Sequence, residues 1–403
     1  MTDHTSSYRS VPGVCLSAAA AGICYQGRDD LALMAFPEDT HCAAVFTRNA
    51  FRAAPVVVAK YHLAAASPRY LLINSGNANA GTGEQGLADA VASCAALAAL
   101  AGCHTQEVLP FSTGVIGENL PLAKLEAALP TALERKCEAA WPEAARAIMT
   151  TDTLPKLATR RFSVAGRTAV VSGMAKGAGM IRPDMATMLA FLATDLAVDQ
   201  ALLQECLRDA VNVSFNTITV DGDTSTNDAC VLGAAGTLGN EPLDDPRSPD
   251  VAAFRVAVEA VCQELATAIV RDGEGATKLV KIRVEAALNA AEARRVADTI
   301  AHSPLVKTAL FAADPNWGRI LAAVGRADVD QLDITAVRIW FGDLCVVSRG
   351  RRDPDYSEAA GQAVLEKDEI EIRVALGRGE AATEVLTCDL SCDYVRINAE
   401  YRT

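Results

Sequence analysis

Aromatic residues are scarce in this chain, at 5% of 403 positions, and histidine is scarcer, with five. The histidines (His4, His41, His62, His104 and His302) stand far apart, so no histidine-centred acid–base cluster is signalled. Basic residues are also in deficit. Lys and Arg number 37 against 50 Asp and Glu, a formal net charge of −13, and so acidic a surface repels phosphate backbones. Nucleic acid is therefore not an expected partner. Long apolar runs are missing: the blandest stretch, Ala88–Cys103, contains Asp89 and is too short to span a bilayer. No basic segment followed by an apolar one opens the sequence, so neither a signal peptide nor a membrane partner is expected, and the expected location is the cytoplasm. Half the residues are hydrophobic, which excludes a disordered chain.

Several motifs are absent too. The twelve cysteines, scattered from Cys15 to Cys392, contain no CxxC pair and no Cys/His cluster at zinc spacing. They read as small hydrophobes in a reducing compartment, with Cys388 and Cys392 the one pair close enough in sequence to consider. No GxxxxGK[ST] is present, and Lys176 precedes its glycines, so the segment from Lys176 to Leu189 is not a phosphate loop. Asp221-Gly-Asp-Thr-Ser225 echoes a calcium loop. Thr226 and Leu232 stand where that loop needs Gly and Glu, so no metal is expected.

What is present is a mixture of short strands and helices. Apolar runs at Ala43–Phe46, Pro55–Ala59 and Leu71–Asn74 read as strands, as do Leu109–Phe111, Arg161–Val164, Thr168–Val171 and Ser214–Val220. Helical spacing marks Glu84–Ala101 with a stop at Gly102, then Pro121–Leu133, Pro142–Met149, Asp199–Val213 and Val251–Val270. After Lys278 short strands and helices alternate. The order points to an α+β layered sandwich with a main domain over 1–280 and a smaller one over 281–403.

Four stretches are richer in Gly, Thr, Asn and Asp than a fold requires. Asn74–Gly83 ends a strand with three asparagines, and reads either as ligand-binding backbone nests or as an elaborate turn. Ser112-Thr113-Gly114 offers a hydroxyl and a backbone N–H to a developing oxyanion, though a turn is the plainer reading. Ala186-Thr187 precedes an apolar strand. A threonine nucleophile needs a base, and without histidine nearby its own α-amine, once freed, is one solution. Pattern alone favours Thr187 as a β-branched strand residue. Glu274 and Lys278, four apart between glycines, suit either an amino-acid ligand or a surface ion pair.

Taken together, the motifs resemble the ornithine acetyltransferase (glutamate N-acetyltransferase, ArgJ) family from about Val11 to Thr403. The resemblance rests on Asn74-Ser-Gly-Asn-Ala-Asn-Ala80, Pro110-Phe-Ser-Thr-Gly-Val115, Ala147-Ile-Met-Thr-Thr-Asp-Thr153 and Ala175-Lys-Gly-Ala-Gly-Met180. It continues through Met185-Ala-Thr-Met-Leu189, Asn216–Asn227, Val270–Lys278, Ser303–Thr308 and Ile397–Tyr401. It implies an N-terminal-nucleophile (Ntn)-like layered sandwich whose C-terminal tail returns to the active site. Self-cleavage would fall between Ala186 and Thr187. Acetyl would pass from N-acetylornithine to Thr187 and then to glutamate, by ping-pong kinetics within arginine biosynthesis. By the same resemblance Thr113 and Gly114 form the oxyanion hole, and Thr151, Lys176, Thr187, Glu274, Asn398 and Thr403 contact substrate. No cofactor is implied, acetyl-CoA is left open as a second donor, and two α and two β chains are the implied assembly. An Ntn aminopeptidase or amidase of similar fold is the alternative.

Overall fold

The structure is a computed structural model and describes residues 8–182 and 188–400. It divides into two compact units. The first runs to Asn216 and resumes over Asp223–Ile269; the second holds Thr217–Gly222 and the chain from Val270.

In the first unit the strands are β1 (Cys15–Ala19), β2 (Leu31–Ala35), β3 (His41–Phe46), β4 (Tyr70–Asn77) and β5 (Val108–Val115). They are followed by β6 (Lys156–Val164), β7 (Arg167–Lys176), β8 (Leu189–Thr194) and β9 (Ala229–Ala234). Its helices are α1 (Ala54–Ala65), α2 (Gly83–Ala101), α3 (Leu122–Glu134), α4 (Trp141–Ala147), α5 (Gln200–Asn212) and α6 (Pro249–Arg271). Two sheets form, ordered β1-β2-β4-β5 and β3-β9-β8-β7-β6. Strand alternation sorts their side chains. On β4, Leu71 and Ile73 join Leu109 and Phe111 of β5 in a core shared with Met174, Leu189, Phe191 and Val231 of the other sheet. Tyr70 and Leu72 point the opposite way, into a second core with Cys94 and Leu97 of α2 and Leu125 and Leu129 of α3. Phe111 and Phe191 meet edge to face at 5.0 Å between the sheets, a contact adding about 1 kcal/mol beyond its buried area.

Helices α5 and α6 cover the outer face of the second sheet. Asp199 caps α5 by accepting from the N–H groups of Ala201 and Leu202. Gly173 on β7 lets α6 close in, since a Cβ there would lie 3.1 Å from both Val261 and Leu265. Helix, sheet, sheet and helix therefore stack as four layers, the layered α+β sandwich expected from the sequence.

The second unit has β10 (Leu279–Ala287), β11 (Arg338–Phe341), β12 (Leu344–Ser348), β13 (Arg351–Arg352), β14 (Glu369–Ala375) and β15 (Ala381–Cys388). They form one sheet ordered β13-β12-β11-β14-β10-β15, in which only β10 and β14 run parallel. Its helices are α7 (Ala290–Ala301), α8 (Pro304–Phe311), α9 (Trp317–Gly325), α10 (Glu358–Leu365) and α11 (Cys392–Glu400). Val296 and Ile300 of α7 and Ile320 and Val324 of α9 pack on Ile282, Val284, Ile372 and Val385 of the sheet.

Two expected strands are not strands. Pro55–Ala59 forms the first turns of α1, where the proline ring already has a helical φ and the missing N–H costs nothing. Ser214–Val220 contains a single turn of 3₁₀ helix, Phe215–Thr217, and one isolated bridge from Ile218 to Leu386. Its alternating apolar residues are buried, but no neighbouring strand supplies a ladder. Glu84–Ala101 is helical as expected and ends at Gly102 in the left-handed region, φ 69°. Leu87 and Val91, however, face outward, and the small residues Ala90, Ser93, Cys94 and Ala98 make the contact with Leu97.

Candidate active site

The site of the first unit begins where β4 and β5 run parallel and end together. Gly76 and Gly114 are register partners, with a shift between Gly76 and Asn77. Gly114 has φ +132° and Gly76 φ +93°, conformations that side chains disfavour. A Cβ on Gly114 would lie 2.3 Å from the Gly76 carbonyl carbon, so the two backbones are fixed against each other.

The asparagines of this strand end are spent on the turn. Asn74 Nδ2 donates to Asn77 O at 2.9 Å, and Asn74 Oδ1 accepts from Ser112 Oγ at 2.6 Å. Asn77 Nδ2 donates to Glu118 O and Asn119 O, and Asn79 Nδ2 to Gly86 O. Ser75 Oγ reaches Ala147 O at 2.7 Å. Of the two readings of Asn74–Gly83, the turn accounts for these side chains, because each satisfies buried backbone groups.

Lys176, at the end of β7, projects to this point. Its ammonium donates to Thr150 Oγ1 at 2.9 Å and Thr113 Oγ1 at 3.3 Å, and lies 3.8 Å from Asp152 Oδ2. Asp152 is buried and accepts from Lys156 Nζ and Gly177 N, both at 2.6 Å. Burial alone would raise its pKa. Lys156, Lys176 and the Gly177 N–H overcome that and hold the carboxyl well below the usual carboxylate range. A fixed anion therefore anchors two ammonium groups, one of which faces the threonine hydroxyls.

From the second sheet, Asn227 Nδ2 donates to Ala78 O at 2.7 Å and Ser112 O at 2.9 Å. It ties the residue before Thr113 to the entrance of β9. Asp228 follows it, 2% exposed.

The expected site residues thus fall into groups. Thr113, Gly114 and Lys176 come together in the first unit. Thr151 is half-buried beside them, and its neighbour Thr150 makes the contact to Lys176. In the second unit Asn398 of α11 donates to Glu274 Oε2 at 2.7 Å. Lys278 turns instead to Lys367 O, so it does not pair with Glu274. Ala186, Thr187 and Thr403 lie outside the described residues. Cys388 and Cys392 are both free thiols. Among the described residues no three His, Cys, Asp or Glu side chains are grouped to hold a metal, and no helix is long and apolar enough to cross a membrane.

Asp152 and Asn227 were not singled out by sequence. They lie inside quoted motifs, but their importance comes from partners 25 and 149 positions away.

Facing sheets covered by helices, with a lysine and threonine hydroxyls gathered at the strand ends, define a layered α+β sandwich. Comparison carries this further: the ArgJ family profile matches residues 15–403, and the chain belongs to that family. It is 63% identical over 393 residues to the arginine biosynthesis bifunctional protein ArgJ of Methylococcus capsulatus, covering 98% of this chain and 96% of that one. The protein of the same name from Pseudomonas fluorescens is 53% identical, covering 98% and 97%. A crystal structure of the arginine biosynthesis bifunctional protein argJ from Bacillus halodurans is 44% identical with a TM-score of 0.51. It is matched over 100% of its own chain by 53% of this one.

Proposed function

We propose that this protein is an acyltransferase of arginine biosynthesis that moves acetyl from N2-acetylornithine to glutamate through Thr187. The reading begins with self-cleavage. Thr187 Oγ attacks the Ala186 carbonyl, the peptide C–N bond breaks, and the freed nitrogen takes the hydroxyl proton. Water then splits the resulting ester, leaving an Ala186 carboxylate and a Thr187 with a free hydroxyl and α-amine. In the transfer, that amine accepts the hydroxyl proton as Oγ attacks the acetyl carbonyl. The amide C–N bond breaks, the proton goes to departing ornithine, and acetyl-Thr187 remains. The glutamate amine attacks this ester and gives up a proton to the Thr187 amine, the C–O bond breaks, that proton returns to Thr187 Oγ, and N-acetylglutamate leaves.

The observation that carries the reading is the meeting of Lys176 with Thr113, 3.3 Å apart, beside a Gly114 whose backbone is locked by Gly76. A fixed hydroxyl, a fixed N–H and an ammonium suit a carbonyl oxygen gaining negative charge. Glu274, Asn398 and Thr403 are assigned to the charged groups of the amino-acid substrates, and Thr151 to the same task. Two 393-residue matches to bifunctional ArgJ proteins support the substrate pair, and bifunctionality supports acetyl-CoA as a second donor. Two α and two β chains in the cytoplasm, with no bound cofactor, complete the proposal.

Denaturing electrophoresis with N-terminal sequencing tests it. The expected result is a chain starting at Thr187, with acetyl transfer from N-acetylornithine requiring glutamate. An intact chain, or a Thr187→Ala protein with full activity, would overturn it. Release of free acetate without dependence on glutamate would point to the amidase alternative.

A further inference from the structure

The edge of the first sheet borders a cleft of about 290 Å³ that the steps above do not use. That is near the lower end of the roughly 300–1,000 Å³ typical of small-molecule sites. Strand β1 forms this edge. Leu16 exchanges both of its backbone hydrogen bonds with Cys137, at 2.9 Å each. The alternation of an antiparallel strand therefore turns the N–H and C=O of Ala18 to the same side, and Ala18 and Cys137 both line the cleft. So does Ser17, which is 1% exposed and whose Oγ has no hydrogen-bond partner among the described residues, an arrangement proteins seldom leave unexplained. Three charged side chains join the lining: Asp29 just before β2, Arg135 at the end of α3 and Glu143 in the first turn of α4. None of the three forms an ion pair with a described residue.

We propose that this cleft is an effector site for an α-amino acid that carries a second cationic group. Two carboxylates and one guanidinium complement two ammonium groups and one carboxylate, and the guanidinium fork suits a carboxylate bound through both oxygens. The Ser17 hydroxyl and the edge groups of Ala18 add neutral hydrogen bonds. A dianionic ligand would instead meet Asp29 and Glu143 as like charges. Two short paths lead from the cleft to the candidate active site. Helix α4 carries Glu143 near one end. At its other end Ala147 O accepts from Ser75 Oγ at 2.7 Å, and three residues on Thr150 Oγ1 accepts from Lys176. Asp29 follows Arg28, whose guanidinium donates to Met149 O and lies 4.1 Å from the centre of the Tyr25 ring. A Cβ on Gly76 would be 3.3 Å from that same ring. A ligand that draws Asp29 and Glu143 toward its ammonium groups therefore moves Met149 and Thr150 relative to Lys176, which couples the two sites. The regulatory role rests on the acetyl-transfer reading above; the binding site does not.

Calorimetric titration of the whole protein with L-lysine tests the site. L-Norleucine, which lacks the second ammonium, and 1,4-diaminobutane, which lacks the carboxylate, should each bind about tenfold or more weakly than lysine. Arg135→Gln and Glu143→Gln should each weaken lysine binding by about the same factor while leaving kcat without lysine unchanged. In the wild type, saturating lysine should change kcat by about twofold or more, an effect lost in both variants. A protein that does not bind lysine, or one in which Arg135→Gln binds it as well as the wild type, would overturn the site. Inhibition by lysine that is purely competitive with N-acetylornithine, or a kcat that lysine leaves unchanged, would overturn the effector role. A wild type without acetyl transfer would instead remove the acetyl-transfer reading, and the calorimetry would still decide the site.

Discussion

Gly114 lies so close to Gly76 across parallel strands that it has no room for a methyl group: a Cβ on Gly114 would sit 2.3 Å from Gly76 C and 2.6 Å from Asn77 N. Backbone contact on this scale fixes the N–H direction at the end of β5. Gly114→Ala must move one strand and also holds alanine at φ +132°. The expected result is a folded protein of lower Tm whose kcat for acetyl transfer falls about 100-fold or more, read by steady-state kinetics. Unchanged kcat would remove Gly114 from the proposed oxyanion hole.

Thr113 offers the hydroxyl beside that N–H. Thr113→Ala should lose about 10²–10³ in kcat with little change in KM, since an oxyanion donor acts mainly on the transition state. Thr113→Ser should recover most of it.

Asp152 should govern acid stability. Its pKa is depressed in the folded protein, so its contribution is complete above the unfolded value of about 3.9 and declines as pH falls toward the folded pKa. Asp152→Asn at pH 7 leaves the buried Lys156 ammonium without its carboxylate, at a cost of about 3–5 kcal/mol. Urea denaturation at pH 7 and pH 3 checks both parts: the variant should lose less stability than wild type between the two pH values.

Asn227 links the two sheets at the site. Asn227→Ala removes donors from the carbonyls of Ala78 and Ser112, each worth about 1–3 kcal/mol if left buried and unpaired. The expected signature is a fall in kcat larger than any rise in KM, because Thr113 loses its register while substrate groups elsewhere remain. Equal effects on both constants would argue against this role.

Much of the secondary structure was legible in the sequence because periodicity is local. The stop at Gly102, the helix from Asp199 and the apolar runs of β4, β5 and β8 each follow from a few adjacent residues. Pro55–Ala59 was misread for an equally local reason: three successive valines raise the strand signal, while the proline suits a helix start. Thr113, Gly114 and Lys176 came from motif resemblance and meet in the structure. Asp152 and Asn227 did not emerge, because a polar residue in a loop has the same local signature whether it binds solvent, backbone or a distant ammonium.

The sequence by itself determined the alternation that gives each strand two apolar faces, the stop of α2 at Gly102, the net negative charge and the motifs that mark the family. Tertiary structure decided which polar groups work together. It brought Asn227 to Ser112 across 115 positions and Asp152 to Gly177 across 25. It also returned Thr217–Gly222 to the second unit, where Thr219 N donates to Leu386 O. The physical reason is satisfaction under burial. Once sheets and helices exclude water, each carboxylate, ammonium and amide must find a partner within about 3 Å, and only the folded chain supplies it.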